Sequence, residues 1–425
     1  MLRRIILFAA VLTVAAFLKF AWPVYGFFAH SGKAPLPPWG WMTIDGEPPV
    51  TQSVLNPAYQ DAGEAAIAGM LKRRADINAP AFSAAVSVDG KTVWHGAIGW
   101  ANIRQNLPAT PQTQFRIGST SKALTASALA RMVERGEIDL DAPISTYWPD
   151  IPNEAWANIT ARQLASHSSG LPHYSRNEDT IGLYHSMALQ KHFADVKNAV
   201  GVFDDTPLLF EPGADFYYSS LGTVLLGAVM SHAVNKPYRQ IIQDDVLTPA
   251  SMTATRVAPK RAKPSDALAT FYLSKDGRHR KWRDLDLSHR LPGGGWASTP
   301  TDLVQLGALH LDESYISQAT RDVFWTPQTL ADGEINEQDY AIGWRWREWE
   351  IEGLGAARNA NHGGVSRGSQ SWLLVFPDYQ MAIAFNINTK TDEFADFGMA
   401  YQDLFKAFAP IAAQQIASAE QTSNN

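Results

Sequence analysis

A serine and a lysine three residues apart form the most informative chemical pattern in the sequence. Ser119 is followed by Lys122 at the start of a strongly helical run. On a helix this spacing places the lysine about one turn above the serine, on the same face. Serine is a weak nucleophile at its own pKa, and an amine held close to it in a desolvated cleft can activate it. The pair is therefore a candidate nucleophile and activator, although a helix N-terminus capped by Ser119 would give the same pattern.

A tyrosine stands directly before a second apolar helix. Tyr218 is followed by Ser219 and Ser220, whose hydroxyls can cap that helix. The helix dipole favours negative charge at this end, which would lower the pKa of the phenol and prepare it as a general base. Tyr217 is the competing phenol, and the two serines directly after Tyr218 favour Tyr218. From these residues alone, packing of an aromatic ring against the helix start is the stronger interpretation.

Glycines near the C-terminal end could expose backbone to a substrate. Gly363 and Gly364 follow His362 and precede a predicted β-hairpin. Bare backbone allows close approach, and an amide there could bind an oxyanion. By itself, a loop histidine such as His362 indicates polar surface. The glycine-rich stretch 291–303 lacks the phosphate-binding pattern and indicates the backbone wall of a cleft. His167, next to a predicted helix end, is expected to contact the last carbonyls in a structural role.

Composition excludes several classes of function. The 425 residues are 45% hydrophobic and 18% charged, which is ordinary for a globular protein. The net charge of -6, without a basic run beyond the first residues, predicts no nucleic-acid partner. Cysteine is absent, so disulfides, thiolate metal sites and a cysteine nucleophile are excluded.

The N-terminus carries a targeting or anchoring pattern. Arg3 and Arg4 precede an apolar stretch over 5–29 that is long enough to span a membrane. An uncleaved anchor is favoured over a signal peptide cleaved after 14–16, because aromatic residues continue past that site. Either way the remaining chain faces the outside. We expect a cell-envelope protein, anchored in the inner membrane with its catalytic domain in the periplasm, or secreted after cleavage. A mitochondrial address is the alternative in a eukaryote.

The remaining elements predict one large domain. An Asp-Gly turn at 89–90 between two β-type runs indicates a hairpin, and a second hairpin follows near 371–386. We expect four regions: an N-terminal hydrophobic segment over 1–30, a Pro- and Trp-rich strap over 31–57, a domain over 58–412 and a polar tail over 413–425. A helical part of the domain is expected at roughly 115–285.

Together these patterns resemble the serine β-lactamase and penicillin-binding-protein superfamily, in its class C-like branch. The three active-site motifs of that family match, in order and approximate spacing, Ser119-Thr120-Ser121-Lys122, Tyr218-Ser219-Ser220 and His362-Gly363-Gly364. Supporting stretches at 115–119, 136–141, 166–172 and 293–299 also look like that family. The similarity covers roughly 58–408, so only the N-terminal segment, the strap and the tail lie outside it.

The resemblance implies an α+β fold in which an antiparallel sheet is flanked by helices and carries an inserted helical subdomain. It also implies that Ser119 forms an acyl-enzyme while Lys122 and Tyr218 handle protons. The amides of Ser119 and Val365 would form the oxyanion hole, and each such donor contributes on the order of 3 kcal/mol. Further substrate contacts are expected from Ser220, His362, Gly363 and Gly364. No metal or organic cofactor is required.

Two departures from the family pattern bear on the substrate. The second motif usually ends in Asn, and Ser220 cannot make the same pair of hydrogen bonds. The third motif begins with Lys in class C β-lactamases, whereas His362 is mostly neutral at pH 7. A small-molecule ester or a D-amino-acid-type peptide is therefore favoured as substrate over a β-lactam. A class C-like β-lactamase and a non-catalytic cell-wall-binding or scaffold protein are the alternatives, and the oligomeric state stays undetermined.

Overall fold

The chain folds around an antiparallel sheet whose strands come from both ends of the sequence. The computed structural model describes residues 2–261 and 267–423. The strands, in chain order, are β1 (Trp41–Met42), β2 (Val50–Val54), β3 (Ala81–Val88), β4 (Lys91–Asn102), β5 (Leu107–Pro108), β6 (Phe115–Arg116), β7 (Arg256–Val257), β8 (Tyr272–Lys275), β9 (Arg278–Lys281), β10 (Trp296–Ser298), β11 (Arg345–Ile351), β12 (Gly355–Ser366), β13 (Ser369–Phe376) and β14 (Met381–Ile387). The main sheet has the order β11-β12-β13-β14-β3-β4-β2, with β5 on β4. The expected sheet built from both chain ends is confirmed.

Helices cover both faces of this sheet, and a group of helices is inserted in the sequence between the strands from the two chain ends. In chain order they are α1 (Leu2–His30), α2 (Gln60–Asp76), α3 (Ser121–Glu134), α4 (Ala161–Ala165), α5 (Thr180–Ala188), α6 (Val196–Val200), α7 (Ser220–Ala233), α8 (Tyr238–Ile242), α9 (Leu291–Gly294), α10 (Pro300–Leu311), α11 (Gln318–Trp325), α12 (Phe394–Gly398) and α13 (Ala400–Ser423). Helix α10 packs on one face of the sheet, while α2 and α13 pack together on the other. Helices α3 to α8 follow β6 in sequence and form the helical insertion.

Strand β3 shows why the sheet is buried on both sides. Successive side chains of a strand point to opposite faces. Phe82 and Val86 belong to the apolar cluster that includes α2 and α13, whereas Ala85 belongs to the cluster that includes α10. All residues of β3 are buried as a result. The Asp89-Gly90 turn that follows has positive φ at both residues, which a tight hairpin turn requires, so this predicted hairpin is confirmed.

Three segments differ from the sequence-based expectation. The strap contains regular structure, because Val50–Val54 forms the edge strand β2 beside β4. The expected polar tail is helical, since α13 continues through it as far as Ser423. The region expected to be helix and loop contains the hairpin Tyr272–Lys275 with Arg278–Lys281, whose second strand pairs with Trp41–Met42 of the strap. Each of these short strands gains its stability from the neighbour that it pairs with, which sequence periodicity does not reveal.

The N-terminal segment is a continuous helix. By length and composition, Arg3–His30 is apolar enough to cross a membrane, and its most apolar window is not buried by the rest of the described chain. Its C-terminal end contacts the domain, where Ala29 is buried and the ring of His30 lies 4.5 Å from that of Trp282. An uncleaved anchor, rather than a cleaved signal peptide, stays a prediction for this helix.

Candidate active site

The two residues of the first motif lie at the start of α3. Ser119 is part of a 3-10 turn over Gly118–Thr120 that leads directly into α3, and it is partly exposed to the cleft. The Nζ atom of Lys122 lies 3.3 Å from Oγ of Ser119. The structure therefore shows both side chains on one helical face, as their spacing predicts.

Lys122 is buried and is held by two further acceptors. Its Nζ donates hydrogen bonds to Oγ of Ser220 at 2.9 Å and to the carbonyl oxygen of Gly293 at 3.0 Å. Gly293 belongs to the glycine-rich stretch, which lines the same cleft. The expected contribution of this stretch to a cleft wall is thus confirmed. Neither acceptor carries a charge, and among the described residues no carboxylate pairs with Lys122 to stabilise its protonated form.

The helix that follows Tyr218 begins as the sequence predicts. Ser219 is the N-cap of α7 and its hydroxyl accepts the backbone N–H of Gly222 at 2.9 Å. The ring centroid of Tyr218 lies 4.8 Å from Nζ of Lys122. Tyr217 turns away from this pair, and its ring instead carries the guanidinium of Arg176 at 5.0 Å. The structure therefore brings Tyr218, rather than Tyr217, to the Ser119–Lys122 pair.

The electrostatics of the cleft couple the two proton-handling groups. Burial lowers the pKa of Lys122 from its usual value, the interaction with Tyr218 opposes this, and the charge of Arg345 lowers the pKa further. Burial alone would raise the pKa of Tyr218, but the charges of Lys122 and Arg345, together with the polar groups of Lys122 and Ser119, lower it. A neutral amine or a phenolate beside Ser119 is a competent general base.

Strand β12 approaches the Ser119 turn so closely that only glycine fits at the contact. A Cβ atom on Gly364 would lie 1.9 Å from the carbonyl oxygen of Ile117, and one on Gly118 would lie 2.6 Å from the backbone of Val365. Gly118 also has a φ of +52, a conformation that side chains disfavour. The hydroxyl of Thr120 donates to the carbonyl of His362 at 3.1 Å and fixes the same approach. The turn and the strand are therefore locked together.

The same part of β12 is left without a strand neighbour on one side. Strand β11 pairs with β12 from Gly355 only as far as Asn361, where Arg345 is its last partner. Beyond that point Gly363 and Val365 line the cleft that also contains Ser119. Val365 is 43% exposed. The chain thus presents backbone at the edge of β12 next to the serine hydroxyl.

His362 is located differently from the expectation. It is not a loop residue, because it lies within β12, and its side chain is completely buried. Its Nε2 lies 2.8 Å from the hydroxyl of Tyr340, and its Nδ1 lies 2.8 Å from the carbonyl oxygen of Gly363. Burial, together with the charges of Arg345 and Lys122, holds the pKa of His362 well below its usual range. The expected direct contact between His362 and a substrate is therefore incorrect for this arrangement, since both ring nitrogens are occupied inside the protein.

His167 also lies at the site rather than at the helix end alone. Its ring is 4.3 Å from that of Tyr218 and 4.5 Å from that of Tyr340, and its Nδ1 accepts the backbone N–H of Ser219 at 3.3 Å. It adopts a φ of 65, and burial holds its pKa well below the usual range. The expected structural role fits, but the contacts are with the rings of the site and not with the last carbonyls of α4.

Two site residues were missed from the sequence. The buried ring of Tyr340 lies 4.5 Å from that of His167 and 6.1 Å from that of Tyr218, and the guanidinium of Arg345 lies 5.0 Å from the ring of Tyr340 and 5.6 Å from that of Tyr218. Alternation in a strand places Arg345 on the face opposite Trp344, its neighbour in the sequence. This face contacts the second motif, which is distant in sequence, so the role of Arg345 could not be predicted from the neighbouring residues.

Acidic side chains with the spacing of a cation site lie elsewhere in the described residues. Asp179, Asp204 and Asp205 bring their carboxylate oxygens close together, but they do not line the cleft. Exposed acidic groups of this kind are common without an ion. The chemistry available around Ser119 is therefore that of a nucleophile, two proton-handling groups and backbone amides.

Comparison with known proteins agrees with this geometry. The family model described as Beta-lactamase matches residues 66–408. The chain is 26% identical over 389 residues to the human mitochondrial serine beta-lactamase-like protein LACTB, covering 71% of this chain and 70% of that protein. It is 24% identical over 318 residues to penicillin-binding protein 4* of Bacillus subtilis strain 168, covering 71% of this chain and 67% of that protein.

Solved structures show the same fold. The D-amino acid amidase of Ochrobactrum anthropi SV3 superposes with a TM-score of 0.67 at 22% identity, over 82% of this chain and 98% of the amidase. The octameric penicillin-binding protein homologue from Pyrococcus abyssi superposes with a TM-score of 0.64 at 22% identity, over 82% of this chain and 76% of the homologue. At 22% identity, these two similarities show a shared fold and nothing more specific.

Proposed function

Because this chain belongs to the Beta-lactamase family, whose model matches 66–408, we propose that it is an exported serine hydrolase that works through an acyl-enzyme on Ser119. The observation that supports this most directly is the distance of 3.3 Å between Nζ of Lys122 and Oγ of Ser119. A binding protein would not require a buried amine of lowered pKa beside a partly exposed serine.

In the proposed reaction Oγ of Ser119 attacks the substrate carbonyl while its proton passes to Lys122 or Tyr218. The bond between the carbonyl carbon and the leaving group breaks, and the leaving group receives that proton. Water then attacks the carbonyl carbon of the acyl-enzyme and gives one proton to the same basic pair. The bond from that carbon to Oγ breaks, the pair returns the proton to Oγ, and the acid is released from free Ser119. Backbone N–H groups of Ser119 and Val365 would stabilise the oxyanion in both steps.

The proposed substrate is an ester or a D-amino-acid-type peptide. Two observations support this over a β-lactam. The hydroxyl of Ser220 is used to hold Lys122, and His362 is buried and neutral, so neither supplies the polar contacts that the class C-like pattern would offer. One structural neighbour is named as a D-amino acid amidase and one relative as a penicillin-binding protein, which is consistent with acyl transfer at an amide. Turnover of β-lactams and a non-catalytic role are the alternatives that the experiment separates.

The proposal is tested by intact-mass measurement of the full chain in detergent. The protein is incubated briefly with a penicillin, a D-alanyl-D-alanine peptide and a p-nitrophenyl ester, and product release is followed in parallel. We expect a covalent adduct or turnover with the ester or the peptide, and loss of both in Ser119→Ala. Turnover that prefers the penicillin would replace the proposal with a β-lactamase. A folded protein that neither forms an adduct nor releases product with these three compounds would contradict it.

A further inference from the structure

Two arginines line the cleft beside the candidate nucleophile and have no acidic partner among the residues that the structure describes. Arg290 precedes the glycine-rich stretch, and Arg367 lies in the turn between β12 and β13, two residues after Val365. Both line the cleft that contains Ser119, and both are only partly exposed. Burial, followed by the charge of Arg290, lowers the pKa of Arg367 to about 9. Two cations are therefore held close together at low exposure.

Neutral groups of the protein satisfy this pair only in part. Arg290 donates to the carbonyl of Ser186 at 2.6 Å and lies 3.9 Å from the ring centroid of Tyr174. Arg367 lies 4.5 Å from the ring centroid of Phe27, which belongs to α1 and covers one side of it. Within the described residues neither arginine forms an ion pair. Unpaired cations that are removed from water are costly, and an anion would offset that cost.

The acidic residues nearest in sequence to Arg290 are engaged elsewhere. Asp284 pairs with Arg261 at 2.6 Å, and Asp286 pairs with His192 at 3.0 Å. The chain therefore does not use these carboxylates to neutralise the two arginines. The aspartates that line the cleft, Asp76, Asp276, Asp392 and Asp396, form no ion pair with either arginine among the described residues, so a bound anion could supply the missing negative charge.

The arginine pair lies close to the reacting groups. The backbone N–H of Ser220 donates to Nδ1 of His173 at 3.1 Å, and Oγ of Ser220 holds Lys122. The pKa of His173 falls to about 3 because of burial and the charges of Lys122, Arg290 and Arg367. The ring of His173 lies 6.0 Å from that of Tyr218 and 4.7 Å from that of Tyr174, the ring on which Arg290 lies. These contacts connect Arg290 to the catalytic groups through two neighbouring rings.

We propose that Arg290 and Arg367 form a subsite for an anionic group of the substrate, a carboxylate or a phosphate-type oxyanion, next to Ser119. This inference rests on the proposed hydrolase function and specifies which of its substrates are preferred. Arginine forks bind both kinds of oxyanion through paired N–H donors. The two arginines are specificity-determining residues, and the acyl transfer itself remains with Ser119, Lys122 and Tyr218.

Binding is measured first, so that the subsite is tested independently of turnover. The full-length Ser119→Ala protein in detergent is titrated by calorimetry with three anilides of equal acyl length: glutaric acid monoanilide, 4-phosphonobutyric anilide and the neutral pentananilide. We expect at least one anionic anilide to bind about 10-fold to 100-fold more tightly than the neutral one, with the difference shrinking at high salt. The carboxylate and phosphonate ligands show which oxyanion the site prefers. Equal affinity of all three anilides would overturn the proposal.

Variants then assign the preference to the arginine pair. Arg367→Gln in the Ser119→Ala background should remove most of the anionic preference, and Arg367→Lys should retain part of it. Arg104→Gln removes an exposed arginine outside the cleft and should leave the preference unchanged. Arg290 also packs against its neighbours, so its replacement could destabilise the protein. The anilide affinities of Arg290→Lys are therefore compared only if its melting temperature equals that of the Ser119→Ala protein. An anionic preference that survives Arg367→Gln would overturn the assignment.

Turnover by the protein with Ser119 intact separates the two proposals. We expect mono-p-nitrophenyl glutarate to be hydrolysed with a higher kcat/KM than p-nitrophenyl pentanoate. If neither ester nor any other acyl compound is hydrolysed, the hydrolase proposal fails while the calorimetry still decides whether the anion subsite exists. If both esters are hydrolysed equally and the anilides bind equally, the hydrolase proposal stands and the subsite is rejected.

Discussion

The hydroxyl of Tyr340 donates a hydrogen bond to Nε2 of His362 over 2.8 Å, and both side chains are completely buried. The carbonyl of Gly363 can only accept, so Nδ1 of His362 carries the ring proton that faces it. His362 is therefore a neutral acceptor that positions β12 and Tyr340, and it has no free nitrogen for a substrate.

Removing the Tyr340 hydroxyl should destabilise the protein. Tyr340→Phe leaves Nε2 of His362 buried without a donor, which costs about 1–3 kcal/mol of unfolding free energy. The measurement is urea unfolding of the variant and the parent protein. Tyr379→Phe, at a partly exposed tyrosine outside the cleft, serves as the matched control and should change stability by less than about 0.5 kcal/mol. Equal effects of the two changes would contradict the role given to Tyr340.

Lys122 and Tyr218 should both be required for turnover. Lys122→Met and Tyr218→Phe each remove a group that handles the proton of Ser119, and each should lower kcat by about 100-fold to 10,000-fold. Ester hydrolysis by the purified variants gives this number directly. Tyr217→Phe changes the neighbouring phenol, which lies against Arg176, and should leave kcat within about twofold. A large loss in Tyr217→Phe with none in Tyr218→Phe would show that the wrong phenol has been chosen.

The pH dependence of kcat/KM should respond to Arg345. Burial lowers the pKa of Lys122 and raises that of Tyr218, and the charge of Arg345 lowers both. The active form needs a deprotonated base, so kcat/KM should rise with pH through an inflection. Arg345→Gln removes the positive charge, both pKa values rise, and the inflection should move to higher pH. Profiles of the parent protein and of Arg104→Gln should coincide, and an unmoved inflection in Arg345→Gln would refute this electrostatic role.

The contact between Gly364 and the Ser119 turn should not tolerate a methyl group. In Gly364→Ala the added Cβ would meet the carbonyl of Ile117 at 1.9 Å, so either the turn or β12 must shift. A displacement of about 1 Å can cost about 100-fold in rate, and we expect at least that loss of kcat/KM. Gly201→Ala, where the nearest atom would be 3.7 Å away, is the control. If Gly364→Ala keeps full activity, the close packing shown here is not needed for function.

Acid should destabilise the native protein through its buried histidines. Burial lowers the pKa of His173 and His310 to about 3 each, and burial also holds the pKa of His289 well below its usual value. In the unfolded chain these groups take up protons below about pH 6.5, while the native protein excludes them. Stability is therefore complete above that pH and falls as pH decreases toward the native pKa values, by about 1.4 kcal/mol per pH unit for each histidine. Urea midpoints at pH 7.5, 6.5 and 5.5 measure the decline, and a constant midpoint would exclude it.

Local patterns determined the elements that carry the site. The Ser119 and Lys122 pair required only helical spacing, and the helix after Tyr218 required only a serine cap, so both were predictable from neighbouring residues. The antiparallel sheet from both chain ends and the hairpin at Asp89 followed from the family resemblance and from turn chemistry.

Tertiary packing decided the rest. Whether His362 lies in a loop or in a buried strand depends on β13 and on Tyr340, and neither partner is visible in the local sequence. The strand formed by Val50–Val54 and the continuation of α13 likewise depend on distant neighbours that cover them.

The sequence by itself determined which residue types stand at helix starts, turns and glycine positions, because those preferences act within a few residues of chain. Only the tertiary structure decided which charges share the cleft. Arg345 lies 5.6 Å from the ring of Tyr218, and the charge of Arg290 lowers the pKa of Arg367, across long separations in sequence. Electrostatic interaction depends on distance and burial in space, so these pairs exist only after the sheet has brought β11 and β12 to the helical insertion.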